Sequence, residues 1–141
     1  MKKADYPDNL RAHLYRRFKW FENQVLEQAK NSRYNDLTLS QIRVFAFLRG
    51  CDMTISDLAK LMHISRQAVQ KTISSLLDLG FVELTESPKN LSAKLIQVTD
   101  RGKKAQLWSQ KAIEKSEKKL AEKIGAEKLK LLKEILNLDW D

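Results

Sequence analysis

Apolar residues recur every three or four positions near the start of the chain, and this pattern predicts a long amphipathic helix. Between Asp8 and Asn31 they are spaced 4, 4, 3, 4 and 4 residues apart, so they fall on one helical face. These positions are Leu10, Leu14, Phe18, Phe21, Val25 and Ala29. Large apolar residues also lie off this stripe, so we expect the helix to bury a second face.

Three shorter helical patterns follow, and each is preceded by a residue that favours helix N-termini. Thr38 and Thr54 each begin a capping-box pattern, and Ser65 is a further N-cap candidate. The helix after Thr38 is predicted to stop at Gly50, and the helix after Ser65 at Gly80, because glycine readily adopts the left-handed conformation of a helix end.

The period then changes to an approximate alternation, which is typical of strands. Phe81–Glu86 and Lys94–Thr99 are rich in β-branched residues, and turn-forming residues lie between them. This predicts a two-stranded hairpin with a protruding loop.

The C-terminal part returns to a helical period. The first stretch after Thr99 has a predicted apolar stripe, and Gly125 separates it from a last helix that is apolar on nearly all sides. The stripe consists of Ala105, Trp108, Ala112, Ile113, Leu120 and Ile124. Since a terminal helix of this kind must be covered from two directions, we expect a homodimer built from both chain ends.

The stretch from Ala59 to Val69 predicts a helix-turn-helix. Two short helices joined by a tight turn cross closely only over a small residue, here Ala59, and we expect Ile64 and Val69 to fill the gap. His63 stands at the turn position where glycine is frequent.

The second of these helices then presents a polar outer face that suits double-stranded DNA. Glutamine can bond an adenine edge, and arginine or lysine can reach guanine; the first turn of a helix can also hold a phosphate. The candidate major-groove residues are Ser65, Arg66, Gln67, Gln70 and Lys71. An ordinary solvated helix face would have a similar composition, so the flanking elements are needed for this interpretation.

The net charge of the chain favours a polyanionic partner but does not indicate which part of the chain binds it. The 141 residues include 26 Lys and Arg against 18 Asp and Glu, a net charge of +8. Counting the printed sequence gives +4 for residues 1–35, zero for 36–100 and +4 for 101–141. The predicted DNA-binding lobe is therefore not the basic part of the chain.

Other functional classes find little support in the sequence. The two histidines are 50 positions apart, the four glycines form no phosphate-binding loop, and no nucleophile motif is present. We therefore expect neither enzymatic activity nor a cofactor nor a metal site. A single cysteine, Cys51, and the lack of a signal peptide or a long apolar run indicate a soluble cytoplasmic protein without membrane association.

Taken together, these segments resemble the MarR family of winged helix-turn-helix regulators, named for multiple antibiotic resistance. The resemblance covers nearly all of residues 8–138. It is carried by Thr54–Met62, Ser65–Ile73, Leu77–Glu83, Lys94–Gly102 and Ala126–Leu136. It implies a mainly α fold with a small β-hairpin wing, and a homodimer formed through the N- and C-terminal helices.

The resemblance also implies a function and a division of the chain. Residues 1–35 would form a dimerisation helix, 36–100 the DNA-binding lobe with its wing at 81–99, and 101–141 the C-terminal dimerisation helices. The dimer would read a palindromic operator with half-sites about 10 bp apart, frequently as a repressor that a small-molecule effector releases.

The wing departs from the family pattern. An arginine usually stands at its tip, whereas this chain has Asn90, Leu91 and Ser92 there. Lys89 and Lys94 could attract phosphate in its place, but lysine reads a narrow minor groove less well. The alternative hypothesis is therefore a winged-helix protein-interaction module with weak or lost DNA binding.

One further site is a hypothesis from the aromatic residues. His13, Tyr15, Trp20 and Trp108 could line an effector pocket, although packing at an interface would explain the same residues. Cys51 could sense oxidants only with a lowered pKa, which the neighbouring Asp52 disfavours.

Overall fold

The computed structural model describes residues 5–48, 52–89 and 92–141. In these ranges the chain is mostly helical and has three short strands. The elements are α1 (Leu10–Lys30), α2 (Leu39–Phe47), β1 (Met53–Thr54), α3 (Ile55–Met62), α4 (Arg66–Asp78), β2 (Val82–Glu86), β3 (Lys94–Val98), α5 (Asp100–Ile124) and α6 (Ala126–Leu136). The predicted mainly helical fold with a small hairpin is confirmed.

The helix starts agree with the capping patterns. The Thr38 hydroxyl accepts a hydrogen bond from the Gln41 N–H at 3.2 Å, and the Gln41 side chain accepts from the Thr38 N–H at 2.9 Å. Thr54 and Asp57 form the same reciprocal pair before α3. The predicted helix end at Gly50 lies outside the described residues.

The end of α4 also follows from its sequence. Gly80 adopts a φ of 74°, which a residue with a Cβ seldom does, and its N–H donates to the Leu77 carbonyl at 3.0 Å. The chain therefore leaves α4 at the predicted position and enters β2.

The hairpin of β2 and β3 is extended by a strand that the alternation pattern did not predict. The antiparallel sheet has the order β1-β3-β2. Met53 and Leu84 both pair with Ile96, one from each side. A two-residue strand is too short to show a period, so only its pairing with β3 reveals it.

The chain divides into two compact units. One unit runs from the N-terminal residues through Val25 and includes Lys111–Asp141; the other is Leu26–Gln110. The second unit contains the helix-turn-helix and the sheet. Its core is formed by fully buried side chains of α2, α3, α4 and β3, among them Phe45, Leu58, Val69, Ile73, Leu76 and Ile96.

The buried face of α5 differs from the predicted apolar stripe. Ala105 and Ala112 are buried as expected, but Trp108, Ile113 and Leu120 are only partly buried. The positions buried beside the two alanines are small, namely Gly102, Ser109 and Ser116. In the single chain the buried face of α5 therefore follows its small residues and coincides only in part with the predicted apolar stripe.

Neither a membrane-spanning helix nor a metal-binding cluster occurs in the ranges that the structure describes. Within 5–48, 52–89 and 92–141, no helix combines the length and the apolar character needed to cross a membrane. Across the same residues, no three His, Cys, Asp or Glu side chains are grouped as a metal ion would require.

Candidate nucleic-acid interface

The turn between α3 and α4 brings the two helices together within three residues. His63 adopts a left-handed conformation, with φ 55° and ψ 40°, and the Ile64 N–H donates to the Ala59 carbonyl at 3.1 Å. His63 thus has the backbone conformation for which glycine is the usual residue.

The crossing of α3 and α4 is filled largely as the spacing predicts. Ala59 is buried at the contact, and Val69 is completely buried. Ile64 is the exception, because 44% of its surface is exposed. The prediction that Ile64 fills the gap is therefore wrong: the left-handed His63 turns the chain so that the side chain after it lies at the surface.

The outer face of α4 is polar and accessible along the first two turns. The inward residues Val69, Ile73 and Leu76 are buried, which fixes the rotation of the helix. All the predicted major-groove residues are exposed, namely Ser65, Arg66, Gln67, Gln70 and Lys71. The structure therefore leaves these side chains uncovered by other parts of the chain.

The first turn of α4 adds backbone donors to this face. The Ser65 hydroxyl oxygen accepts from the Ala68 N–H at 3.1 Å, while its own O–H can still donate outward. The amides of Arg66 and Gln67 have no intrahelical acceptor, as in the first turn of any helix. The N-terminal end of α4 thus offers hydrogen-bond donors and a positive side chain to an anion.

The wing is described up to its tip on both sides. Ser87 organises the turn: its N–H donates to the Ala93 carbonyl at 3.3 Å, and its hydroxyl accepts from the Lys89 N–H at 3.3 Å. Lys89 and Lys94 are both exposed. Asn90 and Leu91, where the sequence lacks the expected arginine, lie outside the described residues.

One carboxyl group of the helix-turn-helix has a lowered pKa. The N–H and hydroxyl of Thr54 hydrogen-bond to Asp57 and lower the pKa of its carboxyl, with a smaller contribution from Lys60. Asp57 therefore stays ionised at the N-terminus of α3, where a negative charge is favourable.

The four residues of the predicted effector pocket are distributed over both units. Tyr15 is exposed on α1, and His13 bonds to Asp8 through Nε2 at 2.8 Å. Trp20 packs edge-on against Phe21, and Trp108 packs against Tyr34 with ring centroids 5.4 Å apart. The effector pocket stays a prediction.

Two basic residues near the turn were left out of the predicted contact set. Lys60 and His63 line the same surface concavity as Arg66. Their regular spacing of three residues is visible in the sequence, but it spans a helix, a turn and a second helix. Helical periodicity therefore could not place them together.

A helix-turn-helix followed by an antiparallel hairpin defines a winged helix-turn-helix domain, the class to which this fold belongs. Residues 35–90 match the family model described as MarR family. The chain is 28% identical over 107 residues to an uncharacterised HTH-type transcriptional regulator, YvnA of Bacillus subtilis (strain 168), covering 73% of this chain and 68% of that protein.

Solved structures agree with this assignment. The crystal structure of the transcriptional regulator PA4135 is similar with a TM-score of 0.78 and 25% identity, covering 93% of this chain and 95% of that chain. A mutant MarR from E. coli complexed with operator DNA has the same fold, with a TM-score of 0.76, 18% identity and 90% of each chain covered. The winged helix-turn-helix part of the chain is thus similar to the MarR family in sequence and in fold.

Proposed function

We propose that the protein is a transcription regulator that binds double-stranded DNA in a sequence-specific manner through the major groove. The observation that carries the proposal is the exposed face of α4, on which Gln67, Gln70 and Lys71 project outward while Val69 and Ile73 are buried. Glutamine and lysine on an accessible helix have the donors and acceptors needed to read base edges. The MarR structure with operator DNA supports this use of the fold.

We also propose that the DNA-binding species is a homodimer. In the single chain α6 has no buried residue, although Leu132, Ile135 and Leu136 are large and apolar. Leu10, Leu14 and Phe18 of α1 are exposed as well. Apolar faces of this extent on chain-terminal helices are expected to be covered by a partner, and a second copy provides one with two-fold symmetry.

A dimer with two reading helices requires an operator of matching symmetry. Half-sites should repeat about one DNA turn apart, so the operator should be palindromic. We propose repression at such a site, relieved by a small-molecule effector that changes the spacing of the two lobes. This step is supported by the similarity of residues 35–90 to the MarR family model.

The experiment is selection of bound fragments from a random duplex pool, followed by sequencing. We expect an enriched palindrome with half-sites about 10 bp apart. Enrichment without any common sequence would contradict specific recognition, and a single asymmetric half-site would contradict the symmetric dimer.

A second candidate function is a protein-interaction module that retains the winged scaffold. Two observations favour it: residues 36–100 have no net charge, and the wing lacks the arginine that the family usually has at its tip. A mobility-shift titration against the region upstream of the protein's own gene separates the two. Weak, sequence-independent binding at moderate salt would favour the interaction module, since few phosphate contacts give little affinity.

A further inference from the structure

A basic concavity lies beside the reading face of α4. It has a volume of about 590 Å³ and lies between α3, the turn and the start of α4. Its lining residues are Ser56, Ala59, Lys60, His63, Ile64 and Arg66. Arg66 also belongs to the outer face of α4, so the concavity is continuous with the surface proposed to meet DNA.

The histidine of this concavity has an unusual backbone for its residue type. Among the described residues, His63 is the one non-glycine residue with a positive φ. A side chain here carries a steric cost that glycine would avoid. The imidazole is nevertheless exposed and lines the concavity, which points to a use for the side chain itself.

The charged groups around His63 are cationic. Lys60 reaches the concavity from α3 and Arg66 from α4, and both are exposed. The acidic residue of α3, Asp57, does not line the concavity; its carboxylate accepts from the Thr54 N–H at 3.1 Å and interacts electrostatically with Lys60. Lysine, arginine, protonated histidine and the Ser56 hydroxyl are all donors, a set that suits a phosphate group.

We propose that Lys60, His63 and Arg66 bind a phosphate of the DNA backbone, and that His63 takes up a proton when DNA binds. The inference rests on the proposed DNA-binding function and adds a regulatory property to it. Histidine is the side chain that changes charge between pH 5 and 8. A phosphate favours the protonated form, so DNA affinity rises as the pH falls.

The expected size follows from proton linkage. If phosphate contact raises the proton affinity of one imidazole tenfold, binding is about fivefold tighter at pH 5.5 than at pH 7.5. With two such sites in a dimer, the increase in affinity between pH 7.5 and pH 5.5 is about 25-fold. Because a phosphate contact does not read bases, the same pH dependence should appear on selected and on random duplexes.

The test measures DNA affinity by fluorescence anisotropy between pH 5.5 and 7.5 at constant salt. His63→Asn is the central variant, because asparagine tolerates a left-handed backbone and does not titrate. We expect this variant to lose the pH dependence while still binding DNA at pH 7.5. His13→Asn is the matched control, since the chain has two histidines, and it should retain the pH dependence.

Two further measurements make the proposal independent of any one variant. Lys60→Gln should weaken binding about equally on all duplexes. It should also reduce the magnitude of the slope of log affinity against log salt concentration by about 1. In the unaltered protein, the NMR titration of the His63 imidazole should move to higher pH when a duplex is added. A shift caused by inorganic phosphate but not by duplex DNA would assign the site to free phosphate and overturn the proposal.

The outcomes separate this inference from the proposed function. If no duplex binds at any pH, DNA recognition itself fails. If duplexes bind with high affinity but His63→Asn has the pH dependence of the unaltered protein, recognition stands and the proton-linked phosphate site is rejected.

Discussion

Gln70 is the residue on which the proposed base reading depends most directly. It is exposed one position after the fully buried Val69, and its amide can form two hydrogen bonds to the major-groove edge of an adenine. We expect Gln70→Ala to cost about 1–3 kcal/mol of binding free energy on the selected operator. The same variant should bind a scrambled duplex almost as well as the unaltered protein, which parallel anisotropy titrations would measure. Equal losses on both duplexes would mean that Gln70 does not read a base.

Gly102 is a residue whose importance is steric. A Cβ at this position would lie 1.9 Å from the carbonyl oxygen of Phe81 and 2.8 Å from Val98 Cγ1. The same carbonyl accepts the Thr99 N–H at 3.0 Å, so the start of α5 is held directly against the base of the wing. Any side chain here must displace backbone rather than a flexible group.

We therefore expect Gly102→Ala to lower the free energy of unfolding by about 1–3 kcal/mol, the usual cost of overpacking. Urea unfolding followed by circular dichroism measures this change. Lys103→Ala, at the exposed next position, should change stability by less than about 0.5 kcal/mol. Unaltered stability of Gly102→Ala would show that α5 and Phe81 can separate without cost.

At the scale of elements, the start of α3 shows how local hydrogen bonds position the first helix of the helix-turn-helix. The capping box of Thr54 and Asp57 satisfies amides at the N-terminus of α3. The residues of β1 directly before it pair with β3. One short segment thus fixes both the helix start and its attachment to the sheet.

The lowered pKa of Asp57 gives this element a pH dependence. A carboxyl with a depressed pKa in the folded state stabilises the fold above its unfolded pKa, near 3.9. That stabilisation is lost as the pH falls through the folded value. We expect Asp57→Asn to unfold at a lower temperature than the unaltered protein at pH 7, with the difference shrinking below about pH 4.

Thermal unfolding at pH 7 and pH 3 measures this difference. Asp36→Asn, at an exposed turn position before α2, is the control and should show almost no difference at either pH. If Asp57→Asn lowers the unfolding temperature as much at pH 3 as at pH 7, the charge of Asp57 is not what stabilises α3.

At the scale of the whole molecule, the apolar surface of α6 has the largest consequence. Leu136 is 47% exposed and Leu131 55% exposed in the single chain, and the helix contacts α5 through an ion pair of Lys133 with Glu117 at 3.1 Å. An exposed ion pair contributes little stability. We therefore expect α6 to be stabilised mainly by burial against the proposed second copy.

We expect Leu136→Lys to shift the protein from dimer to monomer in sedimentation velocity, because a charge would be buried in the interface. Its affinity for the palindromic operator should fall, since one half-site is then read at a time. Lys130→Ala, exposed on the same helix, should remain dimeric. If the Leu136→Lys variant stays dimeric and binds the operator with unchanged affinity, the dimer interface does not include Leu136.

Local sequence signals are sufficient to predict where α2, α3 and α4 begin and which side of α4 faces outward. Thr38, Thr54 and Ser65 each accept a hydrogen bond from the amide three residues further on. The alternation of buried Val69 and Ile73 with exposed Gln70 follows from helical geometry. These signals are local, so they can be read without knowing what the helices touch.

Contacts between segments that are distant in the sequence become visible only in the tertiary structure. The pairing of Met53 with Ile96 joins residues 43 positions apart, and a two-residue strand carries no period of its own. α5 begins directly against the Phe81 backbone at Gly102, where a Cβ would lie 1.9 Å from the carbonyl oxygen, and no apolar period marks this contact in the sequence. The concavity of Lys60, His63 and Arg66 likewise depends on a left-handed turn that sequence spacing alone does not place in space.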